Sequence, residues 1–140
     1  MSVNNHDAVL NAITASLAQA MPARFVQRSL VDPADVPTEQ LLAGLLCVVT
    51  ESGGNFANYR GREADLGSMA VRLVGFVKVE EGQPAVATES AELALLGDLL
   101  TWLNTIGVPG LDVIYPGDWT CSKQLEHPYG WLALALEVKT

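Results

Sequence analysis

Residues 131–138 read Trp131-Leu132-Ala133-Leu134-Ala135-Leu136-Glu137-Val138, and they alternate strictly. Successive side chains of a strand point to opposite faces. Leu132, Leu134, Leu136 and Val138 therefore share one face, and Trp131, Ala133, Ala135 and Glu137 the other. Met69 to Val79 repeats the pattern, with Met69, Val71, Leu73, Val77 and Val79 opposed to Arg72 and Lys78. Leu45 to Thr50 is a continuous β-branched and apolar run, which reads as a buried strand. Its hairpin-like pairing with Met69 to Val79 leaves a glycine-rich loop projecting beyond the sheet.

Two helices supply the cover such a sheet needs. Val9, Leu10, Ile13, Leu17 and Met21 recur at helical spacing, with Asn4 or Asn5 as cap and Pro22 as stop. Leu93, Leu96, Leu99, Leu100 and Leu103 form a second stripe. There Thr88 or Ser90 is the expected cap, Glu89 and Glu92 suit the positive end, and Gly107 with Pro109 forms the stop. Arg24 to Ser29 is a short strand candidate, and Val31 to Pro37 a loop. Thr38 is placed to cap one helical turn that Gly44 ends. Leu111 to Tyr115 reads as a strand, Pro116-Gly117-Asp118 as a turn, and Trp119 to Leu125 as a further strand. The order predicts an α+β fold: an antiparallel or mixed β-sheet with two main α-helices packed on one face, in a single domain over residues 1–140.

Composition narrows the function. The chain is 49% apolar and 17% charged, with a net charge of −8. It is neither disordered in composition nor suited to bind nucleic acid, because such a surface repels phosphate. No signal peptide or apolar run long enough for a bilayer is present, which places the protein in the cytosol when made. Cys47 and Cys121 read as free thiols. Arg60, Arg62 and Arg72, and Arg24 with Arg28, leave room for a local basic patch.

The chemistry-bearing residues do not converge in the sequence. Cys47, Cys121, His6 and His127 have no metal-ligand spacing. Gly53-Gly54 and Gly61 match no phosphate-binding loop, and nothing calls for a cofactor. Asp118, Cys121, Ser122 and His127 share a short stretch that invites a triad reading. No nucleophile elbow accompanies them, so a hairpin with polar side chains facing water is the plainer reading. Trp119, Tyr129 and Trp131 fit an interface or a core edge equally well. Two readings stand beside protein contact: a small-ligand module with a pocket between sheet and helix, and an enzyme using Asp118, Cys121 or His127. The first needs convergent polar groups, whereas the expected inner faces are aliphatic.

Glu51 to Ser68 carries no apolar period, and long loops in compact domains are often functional. Asn55, Asn58, Tyr59, Arg60, Arg62, Glu63 and Asp65 are its candidate contact residues. The arginines there would meet carboxylates on a neighbouring chain, setting register more than affinity.

The chain resembles a family in its ordered pieces. An N-terminal helix and a Pro/Asp loop precede a buried strand, and a long polar loop precedes Met69-Ala70-Val71-Arg72-Leu73-Val74. A leucine-rich helix ending in Trp-Leu then leads to Tyr129-Gly130-Trp131-Leu132-Ala133-Leu134. This is similar to the tail terminator, or tail completion, proteins of lambda-type long-tailed bacteriophages and prophages. The resemblance implies a non-enzymatic structural protein made in the bacterial cytoplasm. Such a protein forms a hexameric ring on the tail tube, contacts the tail tube protein, ends its polymerisation and presents the surface for the head-joining protein. By position, the loop Glu51 to Ser68 would be the element used in ring and tube contacts.

Overall fold

In the computed structural model, which describes residues 5–54, 67–105, 108 and 113–139, helix α1 (His6–Ala20) opens the chain. Asn5 caps it, its side chain accepting from the Ala8 N–H at 2.7 Å, and the Met21 N–H closes the far end on the Leu17 carbonyl. Strand β1 (Phe25–Gln27) follows, then a 3-10 turn (Pro33–Asp35) capped by Asp32, and helix α2 (Thr38–Ala43). Thr38 is inside α2; Pro37 holds the cap position and makes no side-chain capping bond. Gly44, at φ 96, ends α2 in a backbone conformation that side chains other than glycine's rarely adopt.

Strands β2 (Leu45–Gly54) and β3 (Ser68–Lys78), helix α3 (Ala85–Thr105), and strands β4 (Val113–Cys121) and β5 (Tyr129–Lys139) complete the order. The strands form one mixed sheet, β1-β2-β3-β5-β4, parallel only between β1 and β2. A parallel pair needs a crossover, which residues 28–44 with α2 supply. β2 runs further than its apolar core, as far as Gly54, past a bulge between Thr50 and Ser52. Pro116-Gly117-Asp118 is a bulge within β4 instead of a turn. β4 is an edge strand, where proline's missing N–H is tolerated.

The main core lies between the sheet and helices α1 and α3. Leu46, Val48, Met69, Val71, Leu73, Leu132, Leu134, Leu136 and Val138 meet Val9, Ile13 and Leu17 from α1 and Leu95, Leu99 and Trp102 from α3. The second face carries Leu45 and Cys47, which are buried but lie outside that cluster; α2 and its Leu41 pack on this side, against β3.

Close approach of α3 to the sheet depends on Gly75. A Cβ there would collide with Leu95 Cδ2 and meet Leu46 Cδ1 at 3.8 Å. Both leucines are fully buried, so neither can swing into open space. Gly75→Ala is expected to cost about 1–3 kcal/mol through overpacking, read as a lower denaturation midpoint at unchanged slope.

The second helix differs from its sequence reading in phase. α3 begins at Ala85, with the Ala87 N–H bonding the Pro84 carbonyl, so Thr88 lies inside the helix and is buried. Its inner face is Thr88, Glu92, Leu95, Leu96, Leu99 and Trp102, while Leu93 and Leu100 face solvent. No described helix is long and apolar enough to cross a membrane.

Candidate functional site

The loop residues Asn55, Asn58, Tyr59, Arg60, Arg62, Glu63 and Asp65 lie outside the described residues. What the structure places is the rim from which that loop leaves. Gly54 pairs with Ser68, and Ser68 pairs with Lys139, so the loop joins β2 and β3 at one end of the sheet.

Beside this rim, on the sheet face away from α1 and α3, the side chains become small. Ser52, Gly53, Gly54, Ser68, Ala70, Gly117 and Ala135, with Met69, Leu136 and Glu137, line a hollow of about 510 Å³. A neighbouring hollow of about 260 Å³, lined by Arg72, Asp118, Trp119, Thr120, Ala133 and Ala135, shares Ala135 with it. The register explains the continuity, because Ala70 pairs with both Ser52 and Glu137, and Arg72 pairs with Ala135. Arg72 donates to Glu51 Oε1 at 2.5 Å across the outer face. Further along, Lys78 Nζ sits 5.0 Å from the ring centroid of Tyr129, opposite it in the register.

The arginines do not form a free basic patch among the described residues. Arg24 donates to Asp98 at 2.8 Å and to the Ala43 carbonyl at 3.1 Å; Arg28 reaches Asp7 at 2.6 Å; Arg72 holds Glu51. Each is spent inside the fold, with modest stabilisation expected from the exposed pairs.

A second polar cluster, which the sequence did not announce, lies where the β4–β5 turn meets α3. Glu92, fully buried on α3, accepts at Oε2 from the Ser122 hydroxyl at 2.5 Å, the Ser122 N–H at 3.3 Å and the Trp131 N–H at 2.8 Å. Its Oε1 is buried without a hydrogen-bond partner among the described residues. Thr88 Oγ1 and His127 Nδ1 share a bond of 2.6 Å, and Gln124 donates to Glu89 Oε2. Lys123 and Gln124 have φ of 59° and 66°, and the His127–Pro128 peptide is cis. Gly130 is required beneath the carboxylate, since a Cβ there would sit 2.6 Å from Glu92 Oε2.

The candidates for a triad thus take separate partners. Ser122 bonds Glu92, His127 bonds Thr88, and Asp118 lies on the opposite sheet face in the Ala135 hollow. Cys121 packs against the main core, and Cys47 is buried on the second face. Burial pushes the Cys47 thiol up, against smaller opposing effects from the Val31 backbone and the Gln27 side chain. A raised thiol is a poor nucleophile near neutral pH. No group of three metal-ligating side chains gathers among the described residues.

No family profile matches the chain, and no characterised protein shares significant sequence similarity with it.

Proposed function

We propose that this protein is a structural assembly protein of a phage or prophage tail, acting through protein contacts. It caps the tail tube, ends polymerisation and forms the surface to which the head joins. It is made in the bacterial cytoplasm and works as a ring, a hexamer in the family it resembles. Its contacts are with itself, the tail tube protein and the head-joining protein. The observation that carries this reading is the second face of the sheet. Beyond α2 it offers a shallow groove lined mostly by Gly, Ala and Ser, with Met69, Leu136 and Glu137, beside the roots of the long polar loop. Such a groove admits bulky side chains from another chain, and the loop that leaves its rim adds polar contacts that set register. Several weak contacts closed into a ring give a stable product through multivalency.

The test is electron microscopy of the purified chain mixed with polymerising tube protein encoded beside it. Caps at one tube end and shortened tubes are expected. Ala135→Trp, which fills the groove at its centre, should abolish capping while leaving the fold intact. Tubes of unchanged length with bare ends would sink the reading.

A further inference from the structure

We propose that the solvent side of α3 is a self-association seam, on which a second copy of this chain docks with its own α3 antiparallel to the first. This rests on the reading that the protein works through protein contacts, and it names a surface that reading does not use.

The seam is a row of exposed residues. Val86, Leu93 and Leu100 are 56%, 42% and 37% exposed. Interleaved with them, Ser90, Gly97 and Asn104 are exposed as well. The six positions step by four and three residues, the spacing that keeps one line of a helix facing a partner helix. One exposed leucine means little, but two leucines and a valine in line on one helix do.

Among the described residues nothing calls for glycine at position 97. It lies mid-helix, and a Cβ there would meet none of their atoms within 4 Å. Glycine at such a place weakens a helix relative to alanine. Close approach of a second backbone supplies the missing reason.

The row is complementary to itself in one direction only. Antiparallel, with facing residues summing to 190, Ser90 meets Leu100, Gly97 meets Leu93, and Asn104 meets Val86 of the second copy. Every layer sets a large side chain on a smaller or polar one, which keeps the two axes evenly spaced. Parallel packing would stack Leu on Leu and Gly on Gly, alternately crowded and hollow.

Charge selects the same face. Two copies carrying −8 each repel, so a second copy docks where carboxylates are absent or engaged. α3 has three acids: Glu92 is buried, Asp98 is paired with Arg24, and Glu89 is bonded to Gln124. A helix of 21 residues is about 31 Å long, and a seam roughly 10 Å wide buries on the order of 600–1,000 Å² in total. That is the size of a weak, concentration-dependent contact instead of an obligate one.

The experiment measures mass by light scattering from low micromolar to about 1 mM, the range in which weak contacts form. A mass rising toward twice the monomer is expected. Leu93→Glu with Leu100→Glu should hold the protein monomeric throughout. Gly97→Leu, whose Cβ meets none of the described residues within 4 Å, should weaken association at least tenfold with the fold unchanged by circular dichroism. In a Cys121→Ser background, mixed Gly97→Cys and Leu93→Cys proteins should crosslink to each other in preference to themselves. A monomer at every concentration overturns the proposal. So does association that survives these substitutions, or crosslinking of each cysteine variant chiefly to itself. Tube capping by a strictly monomeric protein would overturn this inference alone, and dimers that never bind tubes would overturn the functional reading alone.

Discussion

Replacing Glu92 by leucine is expected to destabilise the fold by about 3–5 kcal/mol, while glutamine at the same place costs only about 1–2 kcal/mol. The difference follows from what Oε2 does. It is the acceptor for the Ser122 N–H, the Ser122 hydroxyl and the Trp131 N–H, at the two ends of the β4–β5 turn. Leucine removes the acceptor and leaves backbone donors buried, whereas glutamine retains an oxygen where Oε2 sits. Among the described residues Oε1 has no partner, so an amide nitrogen placed there breaks no bond with them. Urea denaturation of the two variants at pH 7 checks the order. Equal midpoints would mean the turn finds other partners when the carboxylate goes. Hydrogen exchange gives a second readout, with the Trp131 and Ser122 amides losing protection in Glu92→Leu well before the amides of the β2–β3 ladder.

The sheet was legible in the sequence because alternation is a local signal. β5 buries the residues that alternation assigned, as far as Val138, and β3 buries Met69, Val71, Leu73 and Val77; Val79 falls beyond the end of β3 and is only half-buried. α1 was legible for the same reason, with its asparagine cap and proline stop. α3 was legible as a helix but not in phase. Leucines at 93, 96, 99, 100 and 103 span too wide an arc for spacing to say which of them turn inward. The phase is decided by Glu92, which is drawn inside by amides 30 and 39 residues away in sequence. No local pattern carries that information, and an acid near a helix start reads more simply as dipole compensation. Pro116-Gly117-Asp118 misled in a related way, since its turn residues serve a bulge on an edge strand. The parallel β1–β2 pair was open in the sequence, because a three-residue strand has too little pattern to show its direction. The groove beside the loop could not be read at all. It arises from Ser52, Ala70, Gly117 and Ala135 meeting across four strands, and small residues announce nothing individually. Likewise the exposed row on α3 became visible only once burial had separated Leu93 and Leu100 from Leu96 and Leu99.

Trp102→Ala is the other substitution with a large expected effect, about 3–5 kcal/mol. Trp102 is the largest of the fully buried side chains, at 1% exposed, and it reaches from α3 across to α1. Its Nε1 donates to Ser16 Oγ at 2.9 Å, and Ser16 is itself buried on the inner face of α1. Truncation therefore removes packing from the centre of the helix layer and the indole bond to a buried hydroxyl. A loss of this size is a large share of the ~5–15 kcal/mol that an ordinary domain holds in reserve. Trp102→Phe separates the two contributions, keeping most of the volume and removing only the indole N–H. Ser16→Ala in wild-type and Trp102→Phe backgrounds closes the cycle, and a coupling of about 0.5–1.5 kcal/mol is expected for the bond. Fluorescence supplies an independent check. Trp119 is half exposed and Trp131 partly buried, so the shortest-wavelength part of the emission belongs largely to Trp102 and should shrink in Trp102→Phe. An alanine variant as stable as the parent would show that α1 and α3 are held by the sheet alone. In that case the contact between the two helices would add nothing, and the row on the far side of α3 would be free to shift without unfolding the domain.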